Sequence, residues 1–198
     1  MPTSRSYGDA CAIARALDVV GERWALLVVR ELLLGPQRFS DLRRALPGAS
    51  SNMLTDRLRE LQARGVLVKR QLYELTESGR ELEPIILALG GWGLRYAPPE
   101  PAHLSAASVL LFLRGSRTPQ APGVYRVELG DRAWTVTAAD GRLHIEPGEP
   151  ADPAATLRTD PATLNALLGG ETSLAAARAS GAASVSGDEG ALDRLLSG

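Results

Sequence analysis

The sequence predicts an α+β protein of two domains, and three observations carry that expectation. Up to about residue 97 the apolar spacing is helical, broken by one pair of short β-like runs; residues 98–103 are dense in proline; beyond them apolar and polar residues alternate in strand-like fashion. The first part, 1–97, is read as a winged helix-turn-helix domain, 98–103 as a stiff linker, and 104–198 as a small α+β domain. Charge divides the same way, since residues 1–100 carry 14 Lys or Arg and 12 Asp or Glu, whereas 101–198 carry 8 and 11. A mildly basic half is joined to an acidic one.

The elements follow in order. A helix is expected from Tyr7 to Val20, with Cys11, Ala14, Leu17 and Val20 or Ile13 on a helical repeat, and Gly21 ends it. Glu22 to Leu34 is a second helix, apolar on most sides and therefore central, stopped by Gly35-Pro36. Asp41 to Leu46, capped by Ser40, and a helix from Ser50 or Ser51 to Gly65 flank the sharp Pro47-Gly48-Ala49 connection. Val66 to Val68 and Leu72 to Leu75 are the paired strands of a wing. Only Lys69-Arg70-Gln71 separates them, so the wing is either vestigial or lacks residues between Arg70 and Gln71; the second is expected. Thr76 caps a long apolar helix to about Tyr96, interrupted at most by Pro84, whose surplus of apolar residues suits a second subunit. In the second half a helix at Leu104–Leu113 precedes strands at Val124–Leu129, Trp134–Ala138 and Leu143–Glu146, with Ala155–Arg158 as a fourth strand. Helices at Pro161–Leu168 and Leu174–Ala179, a strand at Ala183–Ser186 and a helix at Glu189–Leu196 complete it.

The stretch from Arg38 to Gly65 carries the chemistry. Leu54, Leu58 and Leu61 form a stripe that must be buried, which turns Asn52, Thr55, Asp56 and Arg59 outward, toward the base edges of a DNA major groove. An ordinary core helix would show the same stripe. Charge favours DNA: from Arg38 to Arg70 eight basic residues face three acids, a local excess of +5. Asn52, Thr55 and Arg59 are the candidates for base contacts, and Arg43, Arg44, Arg57, Lys69 and Arg70 for phosphates, with Arg38, Ser40 and Ser51 beside them. Asp56 could orient Arg59 at i, i+3.

Other chemistries have little to draw on. A single cysteine, Cys11, excludes an intrachain disulfide framework and a cysteine-based zinc cluster, and the two histidines, His103 and His144, stand apart. There is no phosphate-cradling glycine loop and no nucleophile elbow, so neither an enzyme nor a bound cofactor or metal is expected. Trp134 and Tyr125 are expected to fill the second core. No apolar run approaches a membrane span and Met1 to Asp9 is too polar for a secretory signal, so a soluble cytoplasmic protein without membrane contact is expected.

The first half resembles the HxlR family of winged-helix transcription regulators, relatives of the MarR group, over about residues 5–97. The resemblance rests on Cys11 to Trp24, Phe39-Ser40-Asp41-Leu42, Asn52 to Leu58, Leu61, Gly65 and Tyr73 to Gly79. It implies a homodimer joined through its terminal helices, the helix at Ser51–Arg64 in the major groove and a wing on the minor groove. It also places Cys11 where some members sense oxidants, against the alternative of a small buried hydrophobe. The second half is similar to the sterol carrier protein type two fold, on Tyr125 to Leu129, Asp140 to Leu143, Ala155 to Leu164 and Ala182 to Leu195. That likeness implies a module holding a small apolar effector or a partner. The expected function is therefore a homodimeric, sequence-specific regulator of double-stranded DNA, acting as a repressor; the alternative is a lipid or small-molecule carrier whose winged helix only dimerises.

Overall fold

The computed structural model describes residues 6–100 and 102–197 and divides into two compact units, Met1–Ala97 and Pro98–Gly198. Pro101 of the expected linker, Met1 to Arg5 of the polar N-terminus and Gly198 lie outside the described residues.

The first unit runs α1 (Ala12–Val20), α2 (Ala25–Leu32), α3 (Phe39–Ala45), α4 (Ser51–Ala63), β1 (Leu67–Lys69), β2 (Tyr73–Leu75), α5 (Glu77–Arg80) and α6 (Glu83–Gly93). Its core is built from Val28, Val29 and Leu32 of α2, Leu42 of α3, and Leu54, Leu58 and Leu61 of α4, all almost wholly excluded from water. The leucine stripe of α4 is thus buried, which fixes the opposite face outward. Gly65, at φ +74°, ends α4: its own N–H reaches Gln62 O (3.1 Å) and the Val66 N–H reaches Leu61 O (2.9 Å), so two helix-end carbonyls are satisfied by a left-handed residue.

Three expectations are corrected in this unit. The helix expected from Glu77 to Tyr96 is two: α5 closes at Arg80, and α6 begins at Glu83 with Pro84 in its first turn, where a residue without an N–H and with a fixed φ is tolerated. The cap of α3 is Arg38 rather than Ser40, which lies inside the first turn. The hairpin expected to lack residues between Arg70 and Gln71 closes without them. Lys69 pairs directly with Tyr73, and the Arg70 N–H donates to Leu72 O at 3.0 Å, so the hairpin closes over a three-residue loop.

Two places in this unit depend on close approach. Thr76 caps α5, accepting from the Gly79 N–H (3.1 Å) while donating to Gly65 O (2.6 Å), and a Cβ on Gly79 would sit 2.0 Å from Val66 O. Trp24, between α1 and α2, adopts φ +76°, a region bulky residues avoid. Its half-buried indole lies beneath the α3–α4 turn, where a Cβ on Gly48 would come within 2.8 Å of the Trp24 Cη2.

The second unit runs α7 (Ala106–Ser116), β3 (Gly123–Leu129), β4 (Arg132–Ala139), β5 (Arg142–Pro147), β6 (Ala155–Thr159), α8 (Pro161–Gly169), α9 (Leu174–Ala179), β7 (Ser184–Gly187) and α10 (Glu189–Ser197). Its five strands lie in the order β5-β4-β3-β6-β7, antiparallel except for the parallel β3–β6 pair. Alternation is clean: Tyr125, Val127, Leu129, Trp134, Val136, Leu143 and Ile145 face a buried side, while Arg126, Thr135, Thr137 and His144 face the other. Asp140 and Gly141 both take positive φ (51° and 70°), which suits a tight two-residue hairpin. At the far end Arg117 ties two helices together by donating to Leu168 O (2.6 Å) and Leu196 O (2.8 Å). Asp160 caps α8 through the Ala162 and Thr163 N–H groups (2.8 and 2.9 Å). Partial burial opposes ionisation there, but those donors and the Thr163 hydroxyl outweigh it and hold the carboxyl below its ordinary value.

Candidate nucleic-acid interface

The site is built from α3, its turn and α4. Ser50 caps α4 by accepting from the Met53 N–H (3.3 Å), and the Ala49 N–H closes the preceding turn onto Leu46 O (3.0 Å). Ser40, Arg43, Arg44, Ser50 and Ser51 line an open groove of about 610 Å³ at the start of α4. The N-terminus of α4 and cationic side chains share that groove, which suits an anion.

Most of the expected contact residues lie on the surface. Arg38, Ser40, Arg43, Arg44, Asn52, Arg59, Lys69 and Arg70 are exposed, and Ser51 and Thr55 half-buried. Arg43 Nη1 donates to Ser51 Oγ (3.1 Å), so a basic side chain of α3 already lies over the first turn of α4. Arg44 pairs with Asp41 at 3.3 Å, Arg59 with Asp56 at 3.8 Å and Arg70 with Glu74 at 3.1 Å. Such exposed pairs are worth at most about 1 kcal/mol each, so a phosphate or a base edge can replace the carboxylate. The Thr55 hydroxyl donates to Ser51 O (2.8 Å) and keeps only its acceptor capacity for a base.

Arg57 departs from the expectation. Its side chain is only 14% exposed; Nε donates to Arg23 O (3.1 Å), and the guanidinium pairs with Glu60 and with Glu22 (3.6 Å). It fastens α4 to the α1–α2 junction instead of facing a phosphate. Met53 was missed by the sequence reading: it lies beside Asn52, 44% exposed, where its thioether could meet a thymine methyl. The signal was its position outside the buried 54-58-61 stripe.

Exposed apolar residues of a different kind lie on α1 and on α6. Ile13 (71%), Ile85 (56%), Leu89 (48%) and Trp92 (52%) are far more exposed than isolated apolar residues need be, and α6 has no buried residue at all. Cys11, for which a small buried hydrophobe was the alternative to a sensor, is exposed at the N-cap of α1, and Leu17 is 41% exposed. The backbone N–H groups of Ala14 and then Ile13 pull the Cys11 thiol below its ordinary value.

Residues 19–101 match the HxlR-like helix-turn-helix family. The transcriptional regulator YdeP of Bacillus subtilis is 38% identical over 96 residues, covering 44% of this chain and 75% of that protein. The chain belongs to this family. A regulator of the same type, sll1512 of Synechocystis, is 35% identical over 106 residues, covering 50% of this chain and 78% of that one. A third, MT3179 of Mycobacterium tuberculosis, is 41% identical over 95 residues, 44% and 60% of the two chains. This HxlR-like protein is accordingly a DNA-binding helix-turn-helix transcriptional regulator. Residues 123–198 match the alkyl sulfatase C-terminal family, where the sequence had pointed to a sterol carrier. Among the described residues no helix is long and apolar enough to cross a membrane, and none form a group of three or more His, Cys, Asp or Glu able to hold a metal ion.

Proposed function

We propose that this HxlR-like regulator is a homodimeric, sequence-specific repressor acting in the cytoplasm, with α4 laid in the major groove. One observation carries the reading: the buried Leu54, Leu58 and Leu61 force Asn52, Met53, Asp56 and Arg59 into solvent on one side of a capped helix, beside a cation-lined groove. Asn52 and Arg59 supply base-edge donors, each good bidentate pair worth about 1 to 3 kcal/mol of discrimination, while Arg38, Arg43, Arg44, Lys69 and Arg70 neutralise phosphates, with Ser40 and Ser51 in support. The uncovered apolar residues of α1 and α6 supply the dimer seam. The second domain is the module that receives a small apolar effector or a partner; its support is a separate compact fold with its own core, and titration with fatty acids against tryptophan fluorescence tests it. For the function as a whole the test is selection of bound sequences from random duplex DNA. Enrichment of a palindrome with half-sites about 10 base pairs apart is expected, and recovery of random sequence would defeat the reading.

A further inference from the structure

The β1–β2 hairpin is a stub. Its last rung is held from both sides, because Lys69 pairs with Tyr73 and Tyr73 exchanges two backbone hydrogen bonds with Gln37 (3.0 and 2.9 Å). Only Arg70, Gln71 and Leu72 extend past that rung, and the Arg70 N–H folds back onto Leu72 O (3.0 Å). At about 3.3 Å per extended residue such a loop rises only about 5 Å beyond its anchor, and Leu72 is itself half-buried.

A minor groove is roughly 6 Å wide and 7.5 Å deep, deeper than the backbone of this tip rises beyond its anchor. Its cations hold only weak partners at the surface, which a phosphate at the groove edge can displace. Arg70 Nη1 lies 3.1 Å from Glu74 Oε1, and the Lys69 ammonium sits 5.2 Å above the Tyr73 ring. Glu74 would bring a negative charge into a groove whose potential is already negative, which opposes deeper entry.

Resting on the reading of α4 as the base-contacting helix, we infer that this protein takes its sequence information from the major groove alone, and that Lys69 and Arg70 meet phosphates at the groove edge without entering the minor groove. The partner is ordinary duplex DNA. The base-reading surface is then confined to the helix-turn-helix of α3 and α4.

Duplexes enriched from a random pool by the full chain provide the probes, with two sets of base analogues. Inosine in place of guanine removes an amino group from the minor groove only and should leave Kd within about twofold. Purines lacking N7 lose a major-groove acceptor and should weaken binding about tenfold or more. Arg70→Ala should weaken enriched and unrelated duplexes equally and make the salt slope shallower by about 1. Weakening by inosine that disappears in Arg70→Ala, or indifference to the N7 deletion, overturns the inference. A pool in which nothing is enriched removes the functional reading itself, so the two failures are told apart.

Discussion

Helices α4 and α6 both turn an uncovered face outward, but the two faces are chemically opposite. On α4 the exposed residues include Asn52, Asp56 and Arg59; on α6 they are Ile85, Leu89 and Trp92. A polar face in loose ion pairs costs little in water and can exchange its partners, which suits a transient, salt-dependent ligand such as DNA. An apolar face loses by staying in water, which suits a lasting contact with a second copy. Exposure alone does not identify a partner; the chemistry of what is exposed does.

The largest effect expected from breaking this division is on α6. Ile85→Asp with Leu89→Asp should give a monomer by sedimentation and lose affinity for a palindromic site by about a hundredfold or more, the advantage of binding two half-sites together. A dimer that survives both changes would place the seam elsewhere. Next is the support beneath the reading helix. Gly48→Ala should destabilise the first domain by about 1 to 3 kcal/mol in urea, because its Cβ meets the Trp24 ring at 2.8 Å. Unchanged stability would show that the indole yields freely.

Within α4 itself, Arg57 belongs to neither face. Arg57→Ala should cost about 1 to 2 kcal/mol of stability, since the carbonyl of Arg23 and the carboxylates of Glu60 and Glu22 lose their partner, with the salt slope of DNA binding nearly unchanged. A shallower slope at full stability would return it to the phosphate contacts. The smallest effect concerns Cys11. With its thiol lowered by the Ala14 and Ile13 N–H groups, the thiolate is favoured in the folded chain, so iodoacetamide should titrate it at a lower pH than it does in urea. Coincident profiles would remove that influence, and diamide that leaves DNA binding intact would exclude a sensing role.

Much of this was legible in the sequence because local spacing determines it. The Ser50 cap, the 54-58-61 stripe, the Gly65 stop and the alternation of β3, β4 and β5 each follow from a few adjacent residues. What stayed hidden depends on distant partners. Arg57 looked like a flank cation because its acceptor, Arg23 O, is 34 residues away. Ile13 and Leu17 keep helical spacing whether the face they share is covered by their own chain or by another, so periodicity alone did not reveal that the protomer leaves both exposed. The left-handed Trp24 and the parallel β3–β6 pairing leave no periodic trace either. The hairpin loop was judged too short to be whole, yet three residues close it.

The claim that the outer face of α4 reads bases while α3 holds phosphates is tested most directly by comparing two variants on enriched and random duplexes across a salt series. Arg59→Ala should lose about 1 to 3 kcal/mol on the enriched sequence and little on random DNA. Arg44→Ala should weaken both alike and shallow the slope by about 1. Equal losses on the two DNAs for both variants would contradict the account.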